Sequence, residues 1–389
     1  MPRSSSLVPR LGLSCILAAL ATGTFACGGS SSAAGGSGGS TATDGGSGGG
    51  TTTGDGGSTA TGNGGTTGSG GSTTSGGGGT TTTTGTGSPG TDYAPYFYTW
   101  GWGNPAYPFT SLVDLRQKTQ IEGVTLAFVL SDGGCSVTTD VQDHADDVQA
   151  FLAMGGKLKA SFGGAAGTYI ENACGDAGSL ADAIQSFVDQ TGILDLDFDV
   201  EQWQATTPEI NQMRAQALKQ VQDAKGIQVA FTLAAMPHDD ANDVMGGVPS
   251  DSLAVVKAAL DAGVQVSHMN LMVMDFYGNY GQKTMADLSI SALTDAKAQL
   301  QGLVPGLSDE GAWGMLGATP MIGQNDDPNE VFTLDDAAAL SAFAKQNHLG
   351  LVAFWAINRD QPGSGNLGLY SQAQDKAFAF HDALKIVAQ

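Results

Sequence analysis

Between residues 194 and 201, within the run 192–201, apolar and acidic side chains alternate without a break. Leu194, Leu196, Phe198 and Val200 fall on one face of an extended chain, and Asp195, Asp197, Asp199 and Glu201 on the other. A period of two marks a strand, because successive side chains point to opposite faces. Further strand-like runs occupy 95–100, 124–130, 157–162, 227–233, 268–275, 313–318 and 350–355. Between them apolar residues return at helical spacing over 111–119, 140–154, 179–190, 208–224, 250–262, 283–300 and 334–347, and a last helix is expected over 371–387. Eight strands, each followed by a helix, predict an α/β fold in the form of a single closed (β/α)8 TIM barrel. In such a barrel the apolar face of 193–200 lies under helices, so its acids must point inward. Neighbouring acids then repeat at roughly 6.5–7 Å, close enough to push their pKa values apart. Two plainer readings compete. An edge strand could show the same acids to water, and a calcium loop could use them as ligands, although Val200 stands where an EF-hand loop needs Gly.

The 389 residues are not of one kind. Residues 1–26 place Arg3 and Arg10 before a short apolar run, the pattern of a secretory signal peptide, too short for a membrane span. Its end, Thr24-Phe25-Ala26-Cys27, resembles a bacterial lipoprotein processing site, which implies cleavage before Cys27 and a lipid on its sulfur. Membrane attachment through Cys27, at the cell surface or outer membrane, is therefore one expectation and plain secretion the other. Residues 27–91 are almost wholly Gly, Ser and Thr, a composition that cannot offset its ordering entropy, and they read as a disordered, flexible tether. Residues 92–389 form the barrel domain.

A formal net charge of −22 argues against a nucleic-acid partner. Cys15 leaves with the signal, so Cys135 and Cys174 remain as an even pair, expected to form a disulfide in an exported protein. The five histidines are scattered without ligand spacing. No metal and no cofactor are expected.

Three stretches carry candidate chemistry, all at the C-terminal ends of predicted strands, where barrel enzymes hold their sites. Asp197-Phe-Asp199-Val-Glu201 matches the D-x-D-x-E core of glycoside hydrolase family 18, with Leu194-Asp195 where the family often has Asp-Gly. Lys159-Ala-Ser161-Phe-Gly163-Gly164 resembles the family's S-x-G-G motif; by itself the Gly pair reads as a turn. Met272-Val-Met274-Asp275-Phe276-Tyr277 is similar to its M-x-Y-D segment, with Met274 in place of Tyr and Tyr277 as a candidate substitute. Stretches 319–326 and 354–360 resemble those of a bacterial chitinase-like subgroup, so the likeness runs along nearly the whole barrel domain.

The resemblance implies a retaining, substrate-assisted hydrolysis of β-1,4 bonds in chitin or GlcNAc-containing oligosaccharides by a monomer. Glu201 would be the acid. Asp199 would hold the substrate's acetamido N–H, and Asp197 would share a proton with Asp199. Asp275, Met274, Tyr277, Trp355, Gly163, Gly164 and Trp100 would bind sugar, Trp355 as the floor. On the residues alone Trp355, Trp100 and Trp102 fit core packing as well as stacking against a sugar face. The alternatives are a non-catalytic, lectin-like barrel, an endo-β-N-acetylglucosaminidase acting on N-glycans, and an adhesive scaffold.

Overall fold

The computed structural model describes residues 90–137 and 140–388. The signal peptide, Cys27 and nearly all of the tether lie outside the described residues. The strands are β1 (Asp92–Tyr93), β2 (Tyr96–Tyr98), β3 (Gly123–Val129), β4 (Lys157–Gly163), β5 (Asp195–Val200), β6 (Gln228–Ala234), β7 (Val266–Met272), β8 (Leu316–Thr319), β9 (Gly323–Gln324), β10 (Val331–Phe332) and β11 (Leu351–Val352). Nine of them form one sheet in the order β1-β11-β8-β7-β6-β5-β4-β3-β2, and every pairing in it is parallel. Its two end strands are halves of one segment, separated by Ala94 and Pro95.

That segment closes the ring. Asp92, Ala94 and Tyr96 donate their N–H groups to Gly350, Val352 and Phe354 at 2.9, 3.1 and 3.1 Å, while Thr125 donates to Pro95 on the other side at 3.0 Å. Pro95 has no N–H to give, so toward β3 it only accepts. Counted round the ring, eight strands remain, as the hydrophobic pattern predicts. β9 and β10 form a separate antiparallel pair in the loop after β8.

The alternation seen in the sequence sorts the side chains. Outward-facing Leu126, Phe162, Leu196, Phe198, Phe231 and Leu271 are buried against helix residues such as Phe187, Leu218, Leu293 and Leu340 in one large core. Inward-facing Ser161, Asp197, Thr232, Asn270 and Thr319 are equally buried but polar. The helices start where side chains cap them: Ser111, Asp176, Thr207, Thr284 and Thr333 each accept a hydrogen bond from an N–H in the first turn.

Four local expectations need correction. Leu194 precedes the strand and is 47% exposed, so it is no part of the apolar face. Ser308 caps a short helix, Asp309–Gly314, so β8 begins at Leu316 and Trp313 turns outward to pack on Phe343. The 140–154 helix divides into Asp140–Asp143 and Ala145–Ala153 around His144, whose ring stacks on Trp102 at 4.6 Å. At the C-terminus only Ala379–Leu384 is α-helical, followed by a 3-10 turn over Lys385–Ala388. The Asp360 carboxylate accepts the Phe380 and His381 N–H groups and sets that late start, while the Ser371 carbonyl is taken by Gln324.

Cys135 and Cys174 are bonded, with their Cα atoms 4.5 Å apart across a sequence separation of 39. The bridge ties the loop after β3 to the end of the Ile170–Ala173 helix after β4. Loop-closure entropy for that span predicts that a Cys135→Ser, Cys174→Ser double variant loses about 4 kcal/mol of unfolding free energy, read as a lower denaturant midpoint. Thiol titration of the native protein should find neither cysteine free; two reactive thiols would refute the bridge.

Candidate active site

The four acids of 195–201 all lie on the inward side, at four depths. Asp195, at the closed bottom of the barrel, pairs with the buried Lys159 at 2.5 Å. Its role is thus a structural ion pair. Asp197, one layer higher, accepts from Ser161 at 2.7 Å, Thr232 at 2.8 Å and Tyr96 at 3.1 Å. Tyr96 also meets Thr232, and Asn270 bridges Thr232 to Thr319, so hydroxyls and one amide ring the carboxylate. Burial pushes the Asp197 carboxyl up, and these donors together with the Lys159 charge pull it back.

Asp199 is also buried, yet its Oδ1 has no hydrogen-bond partner among the described residues. Desolvation first, then the charges of Glu201 and Asp197, hold it well above the usual carboxylate range. Both Asp197 oxygens face hydroxyls, and no hydrogen bond joins the two aspartates.

Glu201 reaches the open end, where the strand ladder has stopped. Its N–H donates to the Tyr169 hydroxyl at 2.9 Å. The side chain is exposed at the rim, and the surrounding loops partly desolvate its carboxyl. That desolvation, followed by the charges of Asp275 and Asp326, pushes it up to about 7.

The Asp275 carboxyl is raised to about 6, chiefly by burial, and its Oδ1 accepts the Asp327 N–H at 3.1 Å. Asp275 and Tyr277 both have left-handed backbones, at φ 49° and 49°. Glu330 braces them: its two carboxylate oxygens accept the Phe276 and Tyr277 N–H groups at 3.0 and 2.8 Å. Met274 is half-buried beside Asp275 in sequence, and the Tyr277 ring stands 49% exposed at the rim.

Trp355 lies among aromatics. Phe128 stacks on it at 5.5 Å, and Tyr98 and Tyr96 meet it at 4.8 and 5.8 Å. One face of this cluster is the wall of a groove of 510 Å³, lined also by Trp100, Leu130, Asp140 and Gly167. Trp100 is 54% exposed and lies flat on Tyr98 at 4.6 Å. Trp102 is different: its indole N–H donates to Asp147 at 2.8 Å and its ring packs on Phe97, away from the groove. Gly163 and Gly164 are buried. A Cβ on Gly163 would meet the Asp199 carbonyl at 2.2 Å, and one on Gly164 the Phe128 ring at 2.6 Å, so both serve close packing beneath the site.

The structure thus gathers Asp197, Asp199, Glu201, Asp275, Trp355 and Trp100 at one end of the barrel. Tyr96, Thr232, Phe128, Tyr169 and Glu330 are site residues that motif reading alone did not select. Tyr96 and Thr232 carried a usable signal, being polar groups at inward positions of alternating strands. Tyr169 and Glu330 lie in loops and carried none.

A closed parallel barrel with unequal carboxylates and an aromatic-walled groove at the same end fits the architecture of a sugar-cleaving enzyme. No protein-family model matches the chain. A probable bifunctional chitinase/lysozyme of Escherichia coli is 33% identical over 278 residues, 66% of this chain and 30% of its own length. Endochitinase 11 of Metarhizium anisopliae is 32% identical over 294 residues, 70% of this chain and 53% of its own length. The chain therefore spans about a third to a half of these relatives. Active domain 2 of the thermostable chitinase from Pyrococcus furiosus, solved as catalytic-site mutants complexed with chito-oligosaccharides, is 28% identical. It superposes with a TM-score of 0.66 over 77% of this chain and 95% of that one. The chain belongs to glycoside hydrolase family 18.

The electrostatics can be checked directly. In a carbon-labelled sample the Glu201 carboxyl should titrate near pH 7 rather than its ordinary 4.5, and Asp275→Asn should bring it down by removing a like charge. Titration near 4.5 in the unaltered protein would contradict this account of the rim.

Proposed function

We propose that the barrel hydrolyses β-1,4 bonds of chitin or GlcNAc-containing oligosaccharides with retention of configuration, using the substrate's own acetamido group. The observation that carries this reading is Asp199 Oδ1, a buried acceptor without a partner, next to an acid poised near neutrality and close to an aromatic wall. An acetamido N–H is the donor that would satisfy Oδ1. Held there, its carbonyl oxygen attacks the anomeric carbon as the glycosidic bond breaks, and Glu201 gives its proton to the departing sugar oxygen. The result is a cyclic oxazolinium ion beside the Asp199 carboxylate. Water then attacks the anomeric carbon, Glu201 takes up the proton, and the ring reopens. Asp197, already satisfied by hydroxyls, would act by fixing and tuning Asp199.

Trp355 would be the sugar floor and Trp100 a further stacking surface, since a flat ring suits the apolar face of a pyranose. Trp203 and Tyr277, 58% and 49% exposed on the loops after β5 and β7, offer more such surface along the rim. The names of the relatives support chitin as the leading substrate class. Export as a monomer is proposed with it, with lipid on Cys27 or plain secretion; acyl labelling that persists in Cys27→Ser would exclude that lipid site.

The deciding experiment is digestion of a defined series of N-acetylated oligomers, their de-N-acetylated counterparts and an N-glycan. Cleavage should require an acetamido group on the sugar that keeps its anomeric carbon at the cut. Glu201→Gln should lower kcat by about 100-fold or more with KM little changed. Because the acid works protonated, kcat/KM should fall as pH rises through about 7. Oligomer binding without cleavage by the unaltered protein would favour the lectin-like reading, and cleavage of the N-glycan alone would favour the endo-β-N-acetylglucosaminidase.

A further inference from the structure

Tyr169 has no part in the scheme above, yet its one hydroxyl touches three pieces of the site. It accepts the Glu201 N–H at 2.9 Å and lies 2.8 Å from the Gly164 carbonyl and 2.9 Å from the Asp199 carbonyl. A phenol has one proton, so it donates to one carbonyl or shares between them while its lone pair receives Glu201. The need for this contact comes from topology. β4 turns away at Gly163 and Gly164, whose N–H is the last on that side to bond β5, at Asp199. Glu201 is the next residue whose N–H looks that way, and the buried phenol stands where the ladder would have continued.

Tyr169 is itself held firmly. The helix it precedes, Ile170–Ala173, presents Glu171 to Arg214 at 2.6 Å, both side chains buried. Arg214 also donates to the Ala205 carbonyl at 2.8 Å, at the end of the turn that follows Glu201. The segment carrying the acid is therefore pinned at both ends from one short helix, whose far end the Cys174 disulfide secures.

We propose that Tyr169 is a positioning residue for the proton donor: through the main chain of Glu201 it sets the height and angle at which the carboxyl meets the departing oxygen. This rests on the hydrolase reading. A misplaced acid costs most where the proton matters most. A sugar alkoxide cannot leave without one, whereas a nitrophenolate can.

Tyr169→Phe keeps the ring that packs beneath Gly163 and removes only the hydroxyl. On a GlcNAc oligomer kcat should fall by about 10- to 100-fold with KM unchanged, while on a nitrophenyl glycoside of the same sugar the fall should be within about threefold. Tyr93→Phe serves as control: it loses a comparable hydroxyl bond, 3.0 Å to His381 Nδ1, far from the groove, and should leave both rates intact. Equal losses on the two substrates, or none, overturn the proposal. Should Tyr169→Phe not fold, Glu171→Gln leaves the hydroxyl in place, loosens only its helix, and is judged by the same ratio. A wild-type protein that cuts neither substrate refutes the hydrolase reading itself, whereas a normal wild type with an unselective variant refutes only this role.

Discussion

A charge enclosed by a sheet must be answered by a neighbour, and the acids of β5 are answered less completely at each step from the bottom of the barrel to its mouth. Asp195 has a lysine, Asp197 has three hydroxyls, the Asp199 Oδ1 has nothing, and Glu201 faces groups of its own sign. Isolated burial of a carboxylate costs several kcal/mol, and for the two lower acids built-in partners offset part of that cost. For the two upper ones desolvation and like charges raise the pKa instead. One strand of strict alternation thus yields two acids held by built-in partners and two whose pKa values are raised, Glu201 to about 7, and unequal environments of this kind are what an acid-base site requires.

The rest of the rim keeps this gradient from relaxing. Left-handed backbones at Asp275 and Tyr277 cost on the order of 1 kcal/mol each for residues with side chains, and the Glu330 carboxylate spans both neighbouring N–H groups to hold them. Arg214 and Glu171 form a buried ion pair, a device that seldom adds net stability over apolar packing. Its evident product is geometric: it joins the turn after Glu201 to the helix after Tyr169. Rigidity at the mouth therefore derives from polar braces between loops, while the apolar core outside the sheet supplies the bulk of the stability.

Much of this was legible in the chain itself, because period-two and period-3.6 patterns report directly on burial. All eight barrel strands, the inward row of acids and the pairing of Cys135 with Cys174 follow from spacing and type. Two of the misplaced boundaries share one cause, competition from a local hydrogen bond: Ser308 capping an unexpected turn, and Asp360 receiving the N–H groups of a helix that then starts late. Asp195 illustrates a different limit. Its pattern was identical to that of Asp197, and only its cross-strand register with Lys159 separates a structural pair from a site residue. Tyr169 and Glu330 act through main-chain groups, which leave no trace in residue type.

Raising the pKa of an acid with like charges has a condition attached. Desolvation is the larger cause of the raised Glu201 pKa, and Asp275 and Asp326 add to it only while nothing in the groove neutralises them. A cationic ligand would draw the cluster's charge onto itself and lower the acid's pKa. An anionic one would be repelled, the more so from a chain with a net charge of −22. A neutral sugar polymer does neither, and by displacing water from the rim it strengthens the very repulsion that keeps the proton on Glu201. The acidity of the groove, which would be a liability toward most charged partners, is thus compatible with an uncharged, acetamido-bearing chain. On the proposed reading, such a ligand would give the unpaired oxygen of Asp199 the donor that its neighbours do not supply.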